Sequence, residues 1–219
     1  LWDFDLNSKT ALKGIYSELE LKGKLNVDFE AFHPVYDAIN HECWADYRSG
    51  RMKKEELRFI RFYKSMERFN FRDEEMAVEM GELYVQQSPL QTKLIEGSID
   101  LLEHCKAKGY KMHIITNGFE EVQGIKLANS GLTPYFDEII TSERAGVRKP
   151  DPIIFNLAEG LTNSKADRCL MIGDDLEADI VGARNAGWNQ VFFNPEGQIE
   201  HKELISKEIN SLRELIPLL

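Results

Sequence analysis

The sequence is poor in the residues that build disulfide frameworks, thiolate metal sites and membrane spans. Its 219 residues include only three cysteines, Cys43, Cys105 and Cys169. They lie far apart, are odd in number and form no CxxC pair. That excludes a disulfide scaffold and a thiolate zinc site, and it fits a reducing compartment. No apolar run approaches the ~18 residues of a membrane span. Basic charge is also short: 27 Lys and Arg stand against 37 Asp and Glu, a formal net charge of −10. Such a surface repels polynucleotide phosphates and anionic lipid unless a local basic patch intervenes. The densest basic stretch, Arg51 to Arg72, is interrupted by Glu55, Glu56 and Glu67. Neither a nucleic-acid polymer nor a membrane is an expected partner. No signal-peptide pattern opens the sequence, and a cytoplasmic location is expected. Leu, not Met, stands at position 1, and we expect further residues ahead of it.

The remaining composition is that of a globular enzyme-sized chain, with 42% hydrophobic and 29% charged residues. It suffices for one mid-sized α/β domain, or for a domain with a sizeable insertion. Residues from about Ser8 to Gln87 read as successive helices, with apolar positions such as Leu57, Ile60, Tyr63 and Met76, Met80, Leu83 at helical spacing. Pro34 and Gly50 are expected to punctuate them. From about Gly97 the pattern changes. Short apolar runs at Tyr110–Ile115, Phe136–Ile140, Cys169–Ile172 and Gln190–Phe193 alternate with helical stretches. The helices are expected from Ile99 to Gly109, up to Ser130, over Asp151–Gly160, over Leu176–Ala186 and over Leu212–Leu219. Strands alternating with helices predict βαβ units and one parallel sheet. The expected architecture is α/β: a Rossmann-like core with helices on both faces, formed by residues 1–7 and 91–219, and an inserted all-helical cap over residues 8–90.

Ligands of open parallel sheets bind beyond the carboxyl ends of the strands. Two polar motifs sit at such ends. Thr116-Asn117-Gly118 closes the Tyr110 run, and a hydroxyl with turn N–H groups there can hold a phosphoryl oxygen. Gly173-Asp174-Asp175 closes the Cys169 run, with Asp179 one helical turn on. Hard carboxylate oxygens suit Mg²⁺. Lys149, in Gly146-Val147-Arg148-Lys149-Pro150, can neutralise a phosphate. Each feature also has a plain alternative: an ordinary turn, a solvated loop lysine, or an acidic helix N-terminus favoured by the helix dipole.

Their order carries more than the parts. The strings Ile114-Ile115-Thr116-Asn117-Gly118, Val147-Arg148-Lys149-Pro150-Asp151-Pro152-Ile153-Ile154-Phe155 and Ile172-Gly173-Asp174-Asp175 to Asp179-Ile180, with Gly182-Ala183 and Ala186-Gly187, span most of residues 97–194. Together they resemble the haloacid dehalogenase-like superfamily of phosphohydrolases. The preceding helical stretch resembles its helical-cap subgroup. Leu1-Trp2 and the Asn117-Gly118-Phe119 turn resemble the pyrimidine 5′-nucleotidase-like members. The superfamily's first motif, DxDxT, which supplies nucleophile and general acid/base, is not among these residues. Asp3-Phe4-Asp5 has the DxD spacing, but only Leu1 and Trp2 precede it, too few for a buried strand, and Asn7 stands where Thr is needed. The resemblance therefore implies a DxDxT strand directly ahead of Leu1.

By that resemblance the protein is a Mg²⁺-dependent phosphatase of small phosphorylated metabolites, working through an aspartyl-phosphate. Thr116, Lys149, Asp174 and Asp179 are the expected catalytic residues. Thr116, Asn117, Gly118 and Lys149 bind phosphate, and Asp174, Asp175 and Asp179 serve the metal, with Asp175 and Asp179 acting through water or by orienting Lys149. Trp44, Tyr47, Arg48, Arg61 and Phe62 are candidates for gripping the leaving group, and Asn117 and Phe119, nearer the chemistry, are better ones. A nucleoside 5′-monophosphate is the leading substrate, with a sugar or acylneuraminate phosphate as rival. A haloacid dehalogenase would not need the acids around Asp174, and a phosphomutase would need a cap that retains its intermediate. From another class, a non-catalytic binding protein results if DxDxT is absent. A monomer or weak homodimer is expected.

Overall fold

The computed structural model describes residues 1–197 and 206–219. The chain divides into two compact units: Asp3–Lys93, and Leu1–Trp2 with Leu94–Leu219. The first carries α1 (Phe4–Glu18), α2 (Leu21–Leu25), α3 (Phe29–Arg48), α4 (Lys54–Glu67) and α5 (Glu74–Gln87). Asp3 and Asp73 start α1 and α5 by accepting from the backbone N–H of Leu6 (3.0 Å) and Met76 (2.9 Å). Residues at helical spacing, Leu12, Ile15 and Tyr16, Phe32 and Tyr36, Phe62 and Met66, Ala77, Met80 and Tyr84, then meet in one core. The expected break at Pro34 does not occur, for Pro34 lies inside α3. It stands in the second turn and costs a single intrahelical bond, so the helix runs through it. Gly50 does end α3 nearby, with φ of +77°. The Asn7 carboxamide ties the two ends of this unit together: it donates to the Lys93 carbonyl (2.8 Å) and accepts from the Lys93 N–H (3.1 Å).

The second unit alternates helix and strand: α6 (Ser98–Ala107), β1 (His113–Thr116), α7 (Glu120–Asn129), β2 (Glu138–Thr141), α8 (Ser142–Ala145), α9 (Pro152–Thr162), β3 (Leu170–Gly173), α10 (Gly182–Asn185), β4 (Asn189–Phe193) and β5 (Glu208–Ile209). The pairings among these strands are parallel, β1 with β2, β3 with β4, and β4 with β5, as helical crossovers require. Successive strand residues face opposite sides. Ile114 and Ile139 pack with Leu102, Leu127 and Leu132, whereas Ile115 and Ile140 pack with Ile154, Phe155 and Ala158 of α9. In β3, Met171 joins the α9 cluster and Ile172 packs oppositely, with Val191, Phe193, Ile209, Leu212 and Leu215. Helices thus cover both faces, which is why these strands read as continuous apolar runs. No described helix is long and apolar enough to cross a membrane.

Three expectations need revision. The strands form two parallel sheets, β1–β2 and β3–β4–β5, in place of one, and β3 is an edge strand. Among the described residues no strand supplies hydrogen-bond rungs between β1 and β3. The helix expected over Leu176–Ala186 is a π-helical turn, Leu176–Val181, followed by α10, because the Ile180 N–H reaches back five residues to the Asp175 carbonyl (3.3 Å). The terminal segment, Leu212–Leu218, is 3₁₀ and contains Pro217, which has no N–H to give an α-helical bond.

Candidate active site

The site is assembled at the carboxyl ends of β1 and β3. Thr116 is the last residue of β1, and its Oγ1 accepts from the Gly118 N–H (2.9 Å). That bond folds the turn back on the strand and leaves the hydroxyl proton to donate. Gly118 is required by crowding: a Cβ there would stand 2.5 Å from Gln123 Nε2 and 3.1 Å from Thr116 Oγ1. Asn117 points to the Lys149 backbone, donating to its carbonyl (3.0 Å) and accepting from its N–H (2.9 Å).

Lys149 is 8% exposed and Asp179 4%. The Lys149 ammonium donates to the Ile115 carbonyl of β1 (2.9 Å) and forms a close ion pair with Asp179 Oδ1. Asp179 Oδ2 in turn accepts from the Asp175 N–H (3.1 Å). Asp179 is carried on the π-helical turn and lies over the end of β3, where a Cβ on Gly173 would overlap its carboxylate. The Gly of Gly173-Asp174-Asp175 therefore makes room for Asp179. One lysine thus links the β1 end to the β3 end.

The three candidate metal carboxylates have separate fates. Asp174 is exposed at the end of β3. Asp175 Oδ1 caps the following turn by accepting from the Ala178 N–H (2.8 Å), and Asp179 is committed to Lys149. No group of three His, Cys, Asp or Glu among the described residues is arranged to hold a metal. Oδ1 of Asp175 and both oxygens of Asp179 thus have partners within the chain. Asp179 touches Lys149, the residue it was expected to orient if it did not act through water.

Sequence reasoning missed Gln123 and Lys126, which share the inner face of α7 at i, i+3 spacing. Gln123 is buried against the Thr116 turn and donates to the Phe119 carbonyl (3.1 Å). The Lys126 ammonium lies 4.0 Å from the Trp2 ring centroid. Burial pushes its pKa down to about 8, and the Asp174 charge partly offsets that shift. Helical spacing after the Thr116-Asn117-Gly118 turn was the available signal.

Several expected leaving-group contacts are core instead. Tyr47, Phe62 and Phe119 are buried. Arg61 is buried between the Phe62 and Tyr84 rings, with its guanidinium carbon 4.8 and 4.7 Å from their centroids, and it donates to Asn40 Oδ1 (2.9 Å). Trp44 and Arg48 stay partly exposed. Asp3 caps α1 and Asp5 lies in its first turn, so neither ends a strand.

Residues 8–187 match the haloacid dehalogenase-like hydrolase family. The chain belongs to that family. It is 30% identical over 205 residues to the pyrimidine 5′-nucleotidase PynA of Streptococcus pneumoniae, covering 93% of this chain and 83% of PynA. It is 35% identical over 190 residues to the pyrimidine 5′-nucleotidase YjjG of Escherichia coli, covering 84% of this chain and 80% of YjjG. The structure of the HAD-hydrolase YfnB from Bacillus subtilis, bound to magnesium, is similar with a TM-score of 0.88 at 28% identity, covering 100% of this chain and 93% of that one. The matched span of this haloacid dehalogenase-like hydrolase contains Thr116, Lys149, Asp174 and Asp179.

Proposed function

We propose that this haloacid dehalogenase-like hydrolase is a Mg²⁺-dependent phosphomonoesterase that prefers pyrimidine nucleoside 5′-monophosphates. The observation that carries the phosphatase reading is the Lys149 link between the ends of β1 and β3. It ties the Lys149 ammonium to the strand end that carries Thr116 and to the turn that follows Asp174, and a hydroxyl, an ammonium and an exposed carboxylate are the groups a phosphoryl oxygen and its counter-ion require.

The donor chemistry fits Mg²⁺, which takes one or two carboxylates and fills its remaining positions with phosphate oxygen and water. Asp174 would hold it. Bound there, the ion would offset charge on the phosphoryl oxygens. The Thr116 hydroxyl and the Gly118 turn bind one phosphoryl oxygen. Lys149, held by Asp179, balances the charge that gathers as the nucleophile approaches. We assign the nucleophile to a DxDxT strand between β1 and β3, each of which has an edge without a strand partner among the described residues. A parallel strand there would join the two sheets and end beside Thr116 and Asp174. Its first Asp attacks phosphorus and expels the ester oxygen, forming an acyl phosphate. Its second Asp gives a proton to that oxygen, then takes one from the water that releases inorganic phosphate.

The pyrimidine preference is supported by the likeness to the pyrimidine 5′-nucleotidases PynA and YjjG and by the Leu1-Trp2 and Asn117-Gly118-Phe119 resemblances. A stacked base is worth about 1–3 kcal/mol. Expressed fully in the transition state, that is a roughly 5- to 150-fold gain in kcat/KM over a hexose phosphate. The test is a substrate panel on the full-length protein. Pyrimidine deoxynucleotides are expected to lead. A hexose or acylneuraminate phosphate outrunning every nucleotide defeats the pyrimidine reading, and phosphate release from no monoester defeats the phosphatase reading.

A further inference from the structure

The carboxamide of Asn117 is bonded to the backbone of Lys149. Its Nδ2 donates to the Lys149 carbonyl and its Oδ1 accepts from the Lys149 N–H, at 3.0 and 2.9 Å. Both bonds go to one residue's backbone, so the side chain acts as one rung of a β-ladder between the Thr116 turn and the Lys149 loop. The same two-way use of an Asn closes the helical unit at Asn7 and Lys93. One of its two N–H groups and one lone pair of its oxygen are thus spent on the chain's own backbone.

Lys149 is thereby fixed at two levels. Asn117 holds its peptide, and the Ile115 carbonyl with Asp179 holds its ammonium. Four rotatable side-chain bonds separate those anchors. If the peptide end were loose, the ammonium could keep its pairing with Asp179 only by dragging the π-helical turn, or lose it. An ammonium displaced by an ångström can reduce catalysis by up to about 100-fold.

We infer that Asn117 is a positioning residue that sets where the Lys149 ammonium stands, and that it is not a substrate-binding group. The inference rests on the phosphatase reading for its kinetic consequence but not for its structural one. In the full-length protein, Asn117→Ala is expected to lower kcat for p-nitrophenyl phosphate by about 10- to 100-fold with KM nearly unchanged. Independently of activity, amine labelling followed by peptide mass spectrometry should show Lys149 reacting about 5-fold faster or more, with Lys126 unchanged. A variant that has merely unfolded would expose both lysines. In that case Asn117→Asp, which keeps the volume and one acceptor, is measured in the same way. On the wild-type protein, proton exchange of the Asn117 side-chain amide should be slow for one of its two protons. A raised KM with unchanged kcat, unchanged Lys149 labelling in a folded variant, or fast exchange of both Asn117 protons each overturns the inference. If no monoester is hydrolysed but labelling and exchange behave as stated, the phosphatase reading fails and the positioning role stands.

Discussion

Asp179→Asn removes one charge from the most buried ion pair of the site and little else. Asn keeps the shape and can still accept from the Asp175 N–H, now at 3.1 Å. What is lost is the counter-charge to an ammonium that is itself 8% exposed. Removing one partner of a buried pair costs about 3–5 kcal/mol, because the other charge is left in a poorly solvating interior. At about 2–4 °C per kcal/mol for a chain of this size, the thermal midpoint should fall by roughly 6–20 °C. Scanning calorimetry or circular dichroism melts on wild type and variant give the number. Replacing both partners, as Lys149→Met with Asp179→Leu, should recover much of the loss, since an apolar pair strands no charge. A loss below about 1 kcal/mol, the value for exposed pairs, would refute the claim that Lys149 is a buried and fixed cation. So would a double variant less stable than the two single losses added together.

Two further perturbations follow from other contacts. Gly81→Ala would drive a Cβ to 2.6 Å from the Arg58 carbonyl oxygen, where α4 and α5 touch backbone to backbone, so urea unfolding should show a loss of about 1–3 kcal/mol; no loss would mean these helices can separate freely. Lys126 titrates near 8 when folded against 10.5 as the ordinary value, so the folded state binds fewer protons between those two values. The cost of burying its ammonium is therefore full at neutral pH and is relieved as pH climbs through that window. Wild-type stability should gain up to about 3 kcal/mol from this group there, and Lys126→Met should lack that gain. Parallel stability–pH profiles would contradict it.

The helix-strand alternation after Gly97 was legible because parallel strands covered on both faces are continuous apolar runs. Val191, Phe192 and Phe193 in β4 show that signal directly. The candidate phosphate-site residues stood out for a different reason: Thr116 and Asp174 are polar groups at strand ends, where an apolar pattern stops, and Lys149 stands in the loop just ahead of α9. What escaped is set by side-chain geometry that spacing does not encode. Apolar periodicity does not distinguish Asp174, which is exposed, from Asp179, which is buried against Lys149. The π-helical turn that carries Asp179 rests on five-residue backbone bonds, from Ile180 to Asp175 and from Gly182 to Glu177, that spacing does not reveal. Pro34 misled because a proline early in a helix costs one bond rather than the helix. Arg61 and Phe62 look alike on a helical wheel to substrate-gripping residues, and only the packing of Tyr84 and Asn40 around them shows that they are interior.

The measurement that bears most directly on the phosphoryl site is Mg²⁺-dependent release of inorganic phosphate by full-length wild type and by Asp174→Asn. Asp174 is exposed, so the variant should melt within a degree or two of wild type. Wild-type activity should be lost on chelation and restored by added Mg²⁺. The variant should be at least about 100-fold slower and need far more Mg²⁺, reflecting the several kcal/mol a bound Lewis acid contributes. An Asp174→Asn protein with wild-type rate and wild-type Mg²⁺ dependence would contradict the assignment of this corner as the place where phosphate is cleaved.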